Sequence, residues 1–218
     1  MTLLNVIQLI GGVGIFLYSI KMISDSLQLL AGNSLQNLIG MLTKTPVLGV
    51  IVGTVVTVLI QSSSATTVMT VSFVDAGLMT LKQAIGVIMG ANIGTTVTGQ
   101  IIAFKVKDFC YLFIISGSAL LFLGKSNAQK HLGGGLFGFG LLFIGMETME
   151  SSMAILRTRE DLFLMFKENT MLGVLAGTVV TMLIQSSAAA LGLTIALSAQ
   201  GLLTLDAAIP IIYGSNIG

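Results

Sequence analysis

Charge is what this sequence has least of. Only 9% of its 218 residues are charged, where soluble domains carry roughly 25%. The net charge is +1, which excludes a nucleic-acid partner recruited by bulk attraction. A single cysteine, Cys110, excludes an internal disulfide and leaves the redox compartment open. There is no tryptophan, so an interfacial aromatic belt has only Tyr18, Tyr111, Tyr213 and the phenylalanines to draw on. The opening MTLLNVIQLIGGVGIFLYSI lacks a positive leader, so it reads as a retained helix and not as a cleaved signal. No Lys, Arg or His falls between Leu48 and Gly77 or between Leu172 and Gly201. Neither stretch pairs a carboxylate with a histidine or gathers Cys and His, which argues against an intramembrane enzyme.

What is there is apolar sequence, 54% of the chain, with a mean hydropathy of +0.99. It recurs in runs along the whole length, as in an all-α, multi-pass protein of a lipid bilayer. Two small polar knots interrupt it. GTVVTVLIQSSSATTVMTV carries Gln61, Ser62, Ser63 and Ser64, and GTVVTMLIQSSAAALGLTI carries Gln185, Ser186 and Ser187. Donors and acceptors in such a setting must find partners, because hydrocarbon offers none.

Gln61 and Gln185 lie 124 residues apart, as do Gly94 and Gly218. At the same offset Gly53, Thr57, Thr70, Gly77, Leu81, Ala84, Ile85, Gly90, Asn92 and Ile93 all meet identical residues. Upstream, GVGIFLYSIKMISDS aligns with GFGLLFIGMETMESS at an offset of 126. The chain is an internal duplication. Repeat one is expected over 1–104, with a hairpin at 47–75 and a broken helix at 81–104. Residues 105–131 form a connecting span (Phe109 to Leu123) and an exit loop (Lys125 to His131). Repeat two occupies 132–218, with a hairpin at 171–199 and an incomplete broken helix at 205–218.

Each repeat starts with an apolar segment, Leu3 to Ile20 or Leu136 to Met149. An amphipathic stretch follows, Ser24 to Thr43 or Ser151 to Glu168, expected to lie at an interface. The run from Val47 to Ile60 offers roughly 21 Å of helix, where crossing needs about 20 residues. Two short arms joined by a polar tip predict a re-entrant hairpin, tolerated only when buried in protein or lining a cavity. The glycines of GANIGTT at 90–96 predict a discontinuous helix. Lys44, Lys82 and Lys21 meet Glu168, Asp206 and Glu147 in the other copy, as expected of inverted topology. The positive charges divide five against five across such a topology and leave the absolute orientation open.

Half-helix N-termini bind anions, while C-termini and unwound carbonyls suit Na⁺. An anion held at a knot lacks a cationic side chain, so a co-bound metal ion must supply the charge. Oxygen ligands without Cys or His point to an alkali cation. Asn92 and Asn216 are further ligand candidates. The plainer reading is packing: Gly49-x-x-x-Gly53, Gly86-x-x-x-Gly90 and Gly173-x-x-x-Gly177 are helix-contact motifs. Thr54, Thr57, Thr178 and Thr181 read as packing or helix-backbone-bonding hydroxyls, and Gly133-Gly134-Gly135 as a flexible entry to a span.

QSSSATT at 61–67, QSS at 185–187, GANIGTT at 90–96 and GSNIG at 214–218 resemble the sodium-dependent phosphate cotransporters, the type II Na/Pi group with bacterial members. The resemblance implies Na⁺-coupled symport of inorganic phosphate across the cell (inner) membrane, with Na⁺ as co-transported ion and no organic cofactor. Phosphate would lie between the two hairpin tips, on Gln61, Ser62, Ser63, Ser64, Gln185, Ser186 and Ser187. A sodium site in the family joins the second QSS to the second NIG turn and the threonines after it. Gln185, Ser186, Ser215 and Asn216 match it here, and Thr95, Thr96 and Thr98 are the copy-one equivalents of those threonines.

Two departures stand out. Ala188 replaces the equivalent of Ser64, and Gly218 falls where copy one continues TTVTGQIIAF. The chain is therefore expected to be C-terminally truncated, either completing itself as a homo-oligomer or not transporting. The rivals are a carrier of another small anion, and a channel or membrane scaffold.

Overall fold

The computed structural model describes residues 3–31, 45–103, 109–153 and 169–218. Among them it is helical with short turns and contains no strand: α1 (Leu3–Ala31), α2 (Pro46–Ile60), α3 (Ser63–Asp75), α4 (Leu81–Ala103), α5 (Cys110–Leu123), α6 (Asn127–Met153), α7 (Thr170–Ile184), α8 (Ser187–Ala199) and α9 (Leu205–Ile217). The all-α expectation holds for these residues. α1 and α6 are the two described helices long and apolar enough to cross a bilayer.

The chain divides into two compact units. One comprises Lys21–Ile101 and Leu112–Gly138 and holds the first hairpin. The other comprises Met1–Ile20, Ile102–Tyr111 and Phe139–Gly218 and holds the second. In the first, Val52, Val56, Ile60, Met79, Ala84 and Val87 form a buried cluster, with Met69 and Phe73 packed against it. In the second, Phe16 is buried, and its ring fills the space a side chain at Gly192 would need.

Close packing explains the glycines. A Cβ on Gly53 would overlap the Val87 carbonyl oxygen, and one on Gly90 that of Val50, so α2 and α4 touch backbone to backbone. Gly177 and Gly214 stand in the same relation to Ile211 and Val174 between α7 and α9. The packing reading of these motifs is right.

Four expectations need correction. The helices expected to break at the NIG segments do not: α4 runs unbroken from Leu81 to Ala103 through Gly90 and Gly94, and α9 runs from Leu205 to Ile217 through Gly214. These glycines serve helix contact, and the neighbouring polar groups bond to their own helix. Thr95 and Thr96 donate to Ala91 (3.2 Å) and Ile93 (2.6 Å). Ser215 and Asn216 both donate to Ile212, at 2.8 and 3.2 Å.

The exit loop shrinks to a turn, because Ser126 and Gln129 form a capping box that starts α6 at Asn127. The Ser126 hydroxyl accepts from the Gln129 amide (3.2 Å), and the Gln129 side chain accepts from the Lys125 and Ser126 amides (2.9 and 3.2 Å). Gly133 to Gly135 lie inside that helix, and Gly133 packs on Gly117 and Leu121 of α5. The amphipathic stretch does not start a new element at Ser24, since nothing in KMISDSLQLLA stops α1 before Ala31. Its remainder, 32–44, and 154–168 of the second stretch lie outside the described residues.

Candidate functional site: two glutamine–serine knots

Each knot is a helix end meeting a helix start. Thr45 caps α2, its hydroxyl accepting from the Leu48 amide at 3.3 Å, with Pro46 in the first turn. The helix stops at Gln61, which adopts φ 58, ψ 22. Asn169 caps α7 through bonds from Met171 and Leu172, and that helix stops at Gln185 with φ 58, ψ 28. These are the only non-glycine residues with positive φ among the described residues, a conformation that costs roughly 1–2 kcal/mol. The glutamine amide offsets the strain. Gln61 Nε2 donates to the Val58 carbonyl and Gln185 Nε2 to that of Met182, both at 2.6 Å, serving carbonyls the ending helix leaves without partners.

The next residue starts the second arm. The Ser62 hydroxyl accepts from the Ala65 amide at 3.2 Å and the Ser186 hydroxyl from Ala189 at 3.2 Å. The amides of Ser63 and Ser64, and of Ser187 and Ala188, are first-turn donors without helical acceptors. They sit at the positive end of the helix dipole, where an anion is stabilised. The carbonyl ends of α2 and α7 face the same turns and present the opposite sign. One knot thus sets helix-start amides and helix-end carbonyls within a few residues of each other, without a charged side chain.

The NIG segments lie beside the last turns of the first arms. A Cβ on Gly94 would press on Thr57 and on the Thr54 carbonyl (2.8 Å). The Thr54 hydroxyl donates to Val50 (2.8 Å) and to Gly90 across the helix contact (3.1 Å). Thr178 repeats this with Val174 (2.9 Å) and Gly214 (3.1 Å). The backbone-bonding expectation is right for both. Thr57 and Thr181 are buried and fit the packing half of that expectation: Thr57 donates to the side chain of Thr66 (2.9 Å), and the buried Thr181 oxygen has no hydrogen-bond partner.

Among the expected ligands, Gln61, Ser62, Ser63, Ser186 and Ser187 are half-buried, and Ser64 and Gln185 are exposed. Asn92 and Asn216 are exposed on α4 and α9, Thr95 is half-buried, Thr96 exposed and Ser215 buried. Of Thr98 only its place in α4 is described. Gln185, Ser186, Ser215 and Asn216 fall in one unit, and Thr95, Thr96 and Thr98 in the other.

Sequence reasoning missed Ser24 and Gln28. Both donate to the Ile60 carbonyl, at 2.6 and 3.2 Å, and to this end Gln28 Nε2 also reaches Ser24 Oγ at 2.9 Å. They hold the last carbonyl before Gln61. The signal was a polar pair at i, i+4 near the end of a mostly apolar helix.

Apolar outer faces and two duplicated helix breaks, each carrying a glutamine–serine knot, define a helical membrane protein. The chain belongs to the Na⁺/Pi-cotransporter family, whose pattern matches residues 15–151 and again 152–218. This is a family of membrane transporters, not of enzymes. The chain is 30% identical over 206 residues to the uncharacterized protein YqeW of Bacillus subtilis, covering 93% of this chain and 67% of that one. It is 26% identical over 220 residues to the "Putative inorganic phosphate export protein YjbB" of Escherichia coli K12, covering 99% and 40%. With the human sodium-dependent phosphate transport protein 2B it shares 40% over 101 residues, 45% of this chain and 15% of that one. The chain thus spans two thirds of the first of these and two fifths or less of the others. No solved structure matches it.

Proposed function

We propose that the chain carries inorganic phosphate across the cell (inner) membrane coupled to Na⁺, with each knot offering ligands of its own. The observation that carries this reading is the paired helix break. A serine-capped helix start stands next to a glutamine-closed helix end, and no cationic side chain lies near either in sequence. Phosphate at the amide ends needs a counter-charge, and the hard-oxygen surroundings favour an alkali cation. A neutralised pair then crosses more readily than either ion alone, which couples the fluxes. Ser63, Ser64 and Ser187 are the phosphate ligands, and Gln185, Ser186, Ser215 and Asn216 serve the cation; Thr95, Thr96 and Thr98, which follow the NIG turn of copy one, are the cation ligands there.

Two further features support a membrane hairpin. The arms of 15 and 13 residues reach about 20 Å each, too little to cross, so we place them as re-entrant. The exchange of Lys21, Lys44 and Lys82 for acids supports opposite insertion of the two copies. The names of two relatives, one a sodium-dependent phosphate transporter and one a phosphate exporter, leave the direction of net flux to the gradient. Phosphate flux into proteoliposomes, with and without a Na⁺ gradient, tests the proposal. Flux that ignores Na⁺ would refute coupling, and Na⁺-independent flux that rises with the phosphate gradient without saturating would identify a channel.

A further inference from the structure

The two hairpins are near copies in backbone, yet their arms are joined differently. In hairpin one the Thr57 hydroxyl donates to Thr66 Oγ1 (2.9 Å), and Thr66 donates in turn to the Ser62 carbonyl (3.1 Å). That relay runs from the first arm, through the second, into the knot. Thr57 and Thr66 are 1% and 0% exposed, so water does not compete. In hairpin two the equivalents are Thr181 and Ala190. Thr181 is 4% exposed, and its hydroxyl oxygen finds no partner. The Ser186 carbonyl keeps its backbone bond from the Ala190 amide (3.1 Å) but receives no hydroxyl from that side chain. One missing hydroxyl thus removes two links.

We propose that Thr66 is the positioning residue that holds hairpin one as a fixed half-site, and that Ala190 leaves hairpin two free to move its arms during the transport cycle. An unsatisfied buried hydroxyl favours any opening that hydrates it, so the closed state of hairpin two is the less stable of the pair. Hairpin one has a second tether at its tip, the bonds from Ser24 and Gln28 to the Ile60 carbonyl. The unequal arms stand on geometry alone; their part in a transport cycle rests on the reading of the knots as ligand sites.

Hydrogen exchange of the full chain in nanodiscs, read by mass spectrometry without phosphate or Na⁺, tests this. Amides of α8 and the end of α7 should exchange at least about tenfold faster than those of α3 and the end of α2. Ala190→Ser returns a hydroxyl at little cost in volume and should slow hairpin two toward hairpin one. Thr66→Ala should speed hairpin one, and Thr66→Ser should restore it. In flux assays Ala190→Ser should lower the maximal rate several-fold and leave the half-saturating phosphate concentration in place, whereas Thr66→Ala should raise the latter. Equal exchange of the two hairpins, or no response to Ala190→Ser, would overturn the proposal. Unequal exchange that Ala190→Ser abolishes supports it even if phosphate and Na⁺ change nothing, a result that counts against the transport reading alone.

Discussion

Gln61 Nε2 donates to the Val58 carbonyl oxygen at 2.6 Å, so the residue that seemed from sequence to be a ligand is also the helix stop. Gln61→Ala removes that bond and leaves a left-handed backbone that alanine tolerates no better, for a loss of about 1–2 kcal/mol. Gln61→Gly loses the bond but relieves the backbone. The glycine variant should therefore melt higher than the alanine variant in detergent, and the same order is expected at Gln185. If the carboxamide also touches solute, both variants lose flux despite the difference in stability. Wild-type flux in Gln61→Gly would reduce this residue to a cap.

The glycine contacts give a test independent of transport. Gly53→Ala, Gly90→Ala, Gly177→Ala and Gly214→Ala each force a methyl group into a carbonyl oxygen of the facing helix. Each should destabilise by about 2–4 kcal/mol, because two helix axes must separate. Gly14 has nothing within 4 Å of a built Cβ, so Gly14→Ala should be neutral or gain up to about 1 kcal/mol of helix propensity. Thermal unfolding followed by circular dichroism reads both. A melting temperature unchanged in Gly53→Ala would mean α2 and α4 are not in backbone contact.

How much of this the sequence carried depends on which force set each feature. The first arm at Val47 to Ile60, the hairpin's end at 75 and the helix start at Leu81 were legible because apolar runs and the polar tip and turn that interrupt them are local in sequence. The duplication was legible as well, and the arms of its two hairpins share bounds at the same offset of 124. The break expected at Gly90 to Thr96 was not there, because a glycine that loosens a helix and one that lets another helix approach look identical in one dimension. Only the facing Val50 and Val87 decide between them. The glycine trio at 133–135 misled for the same reason, with Gly117 as the hidden partner of Gly133. Ser24 and Gln28 were passed over because their acceptor lies 36 and 32 residues away.

Those two residues should behave non-additively. The Ile60 carbonyl accepts from both, so Ser24→Ala or Gln28→Ala leaves one donor in place and should cost under about 1 kcal/mol. The double variant leaves the carbonyl at the tip with neither and should cost about 1–3 kcal/mol, more than the sum of the singles. A double-mutant cycle on thermal stability measures this. Strict additivity would show that one of the two bonds contributes nothing.

The serines of the first knot divide by role, and that division separates folding from binding. Ser62 is the cap of α3, bonded to the Ala65 amide at 3.2 Å, so Ser62→Ala should lose about 1 kcal/mol of stability. Ser64 sits one turn position further on with an exposed side chain, and Ser64→Ala should leave stability within about 0.5 kcal/mol. If its hydroxyl meets phosphate, the half-saturating concentration should rise about tenfold, the equivalent of roughly 1.4 kcal/mol. Copy two already carries alanine at the matching position 188, where it is buried, so the knots are unequal as ligand donors and Ser64 has no twin to compensate for its loss. Measuring both variants by melting and by phosphate flux gives two axes. A Ser64→Ala protein with unchanged stability and unchanged half-saturation would remove this hydroxyl from the site, leaving the amides of Ser63 and Ser64 as what the first knot offers an anion.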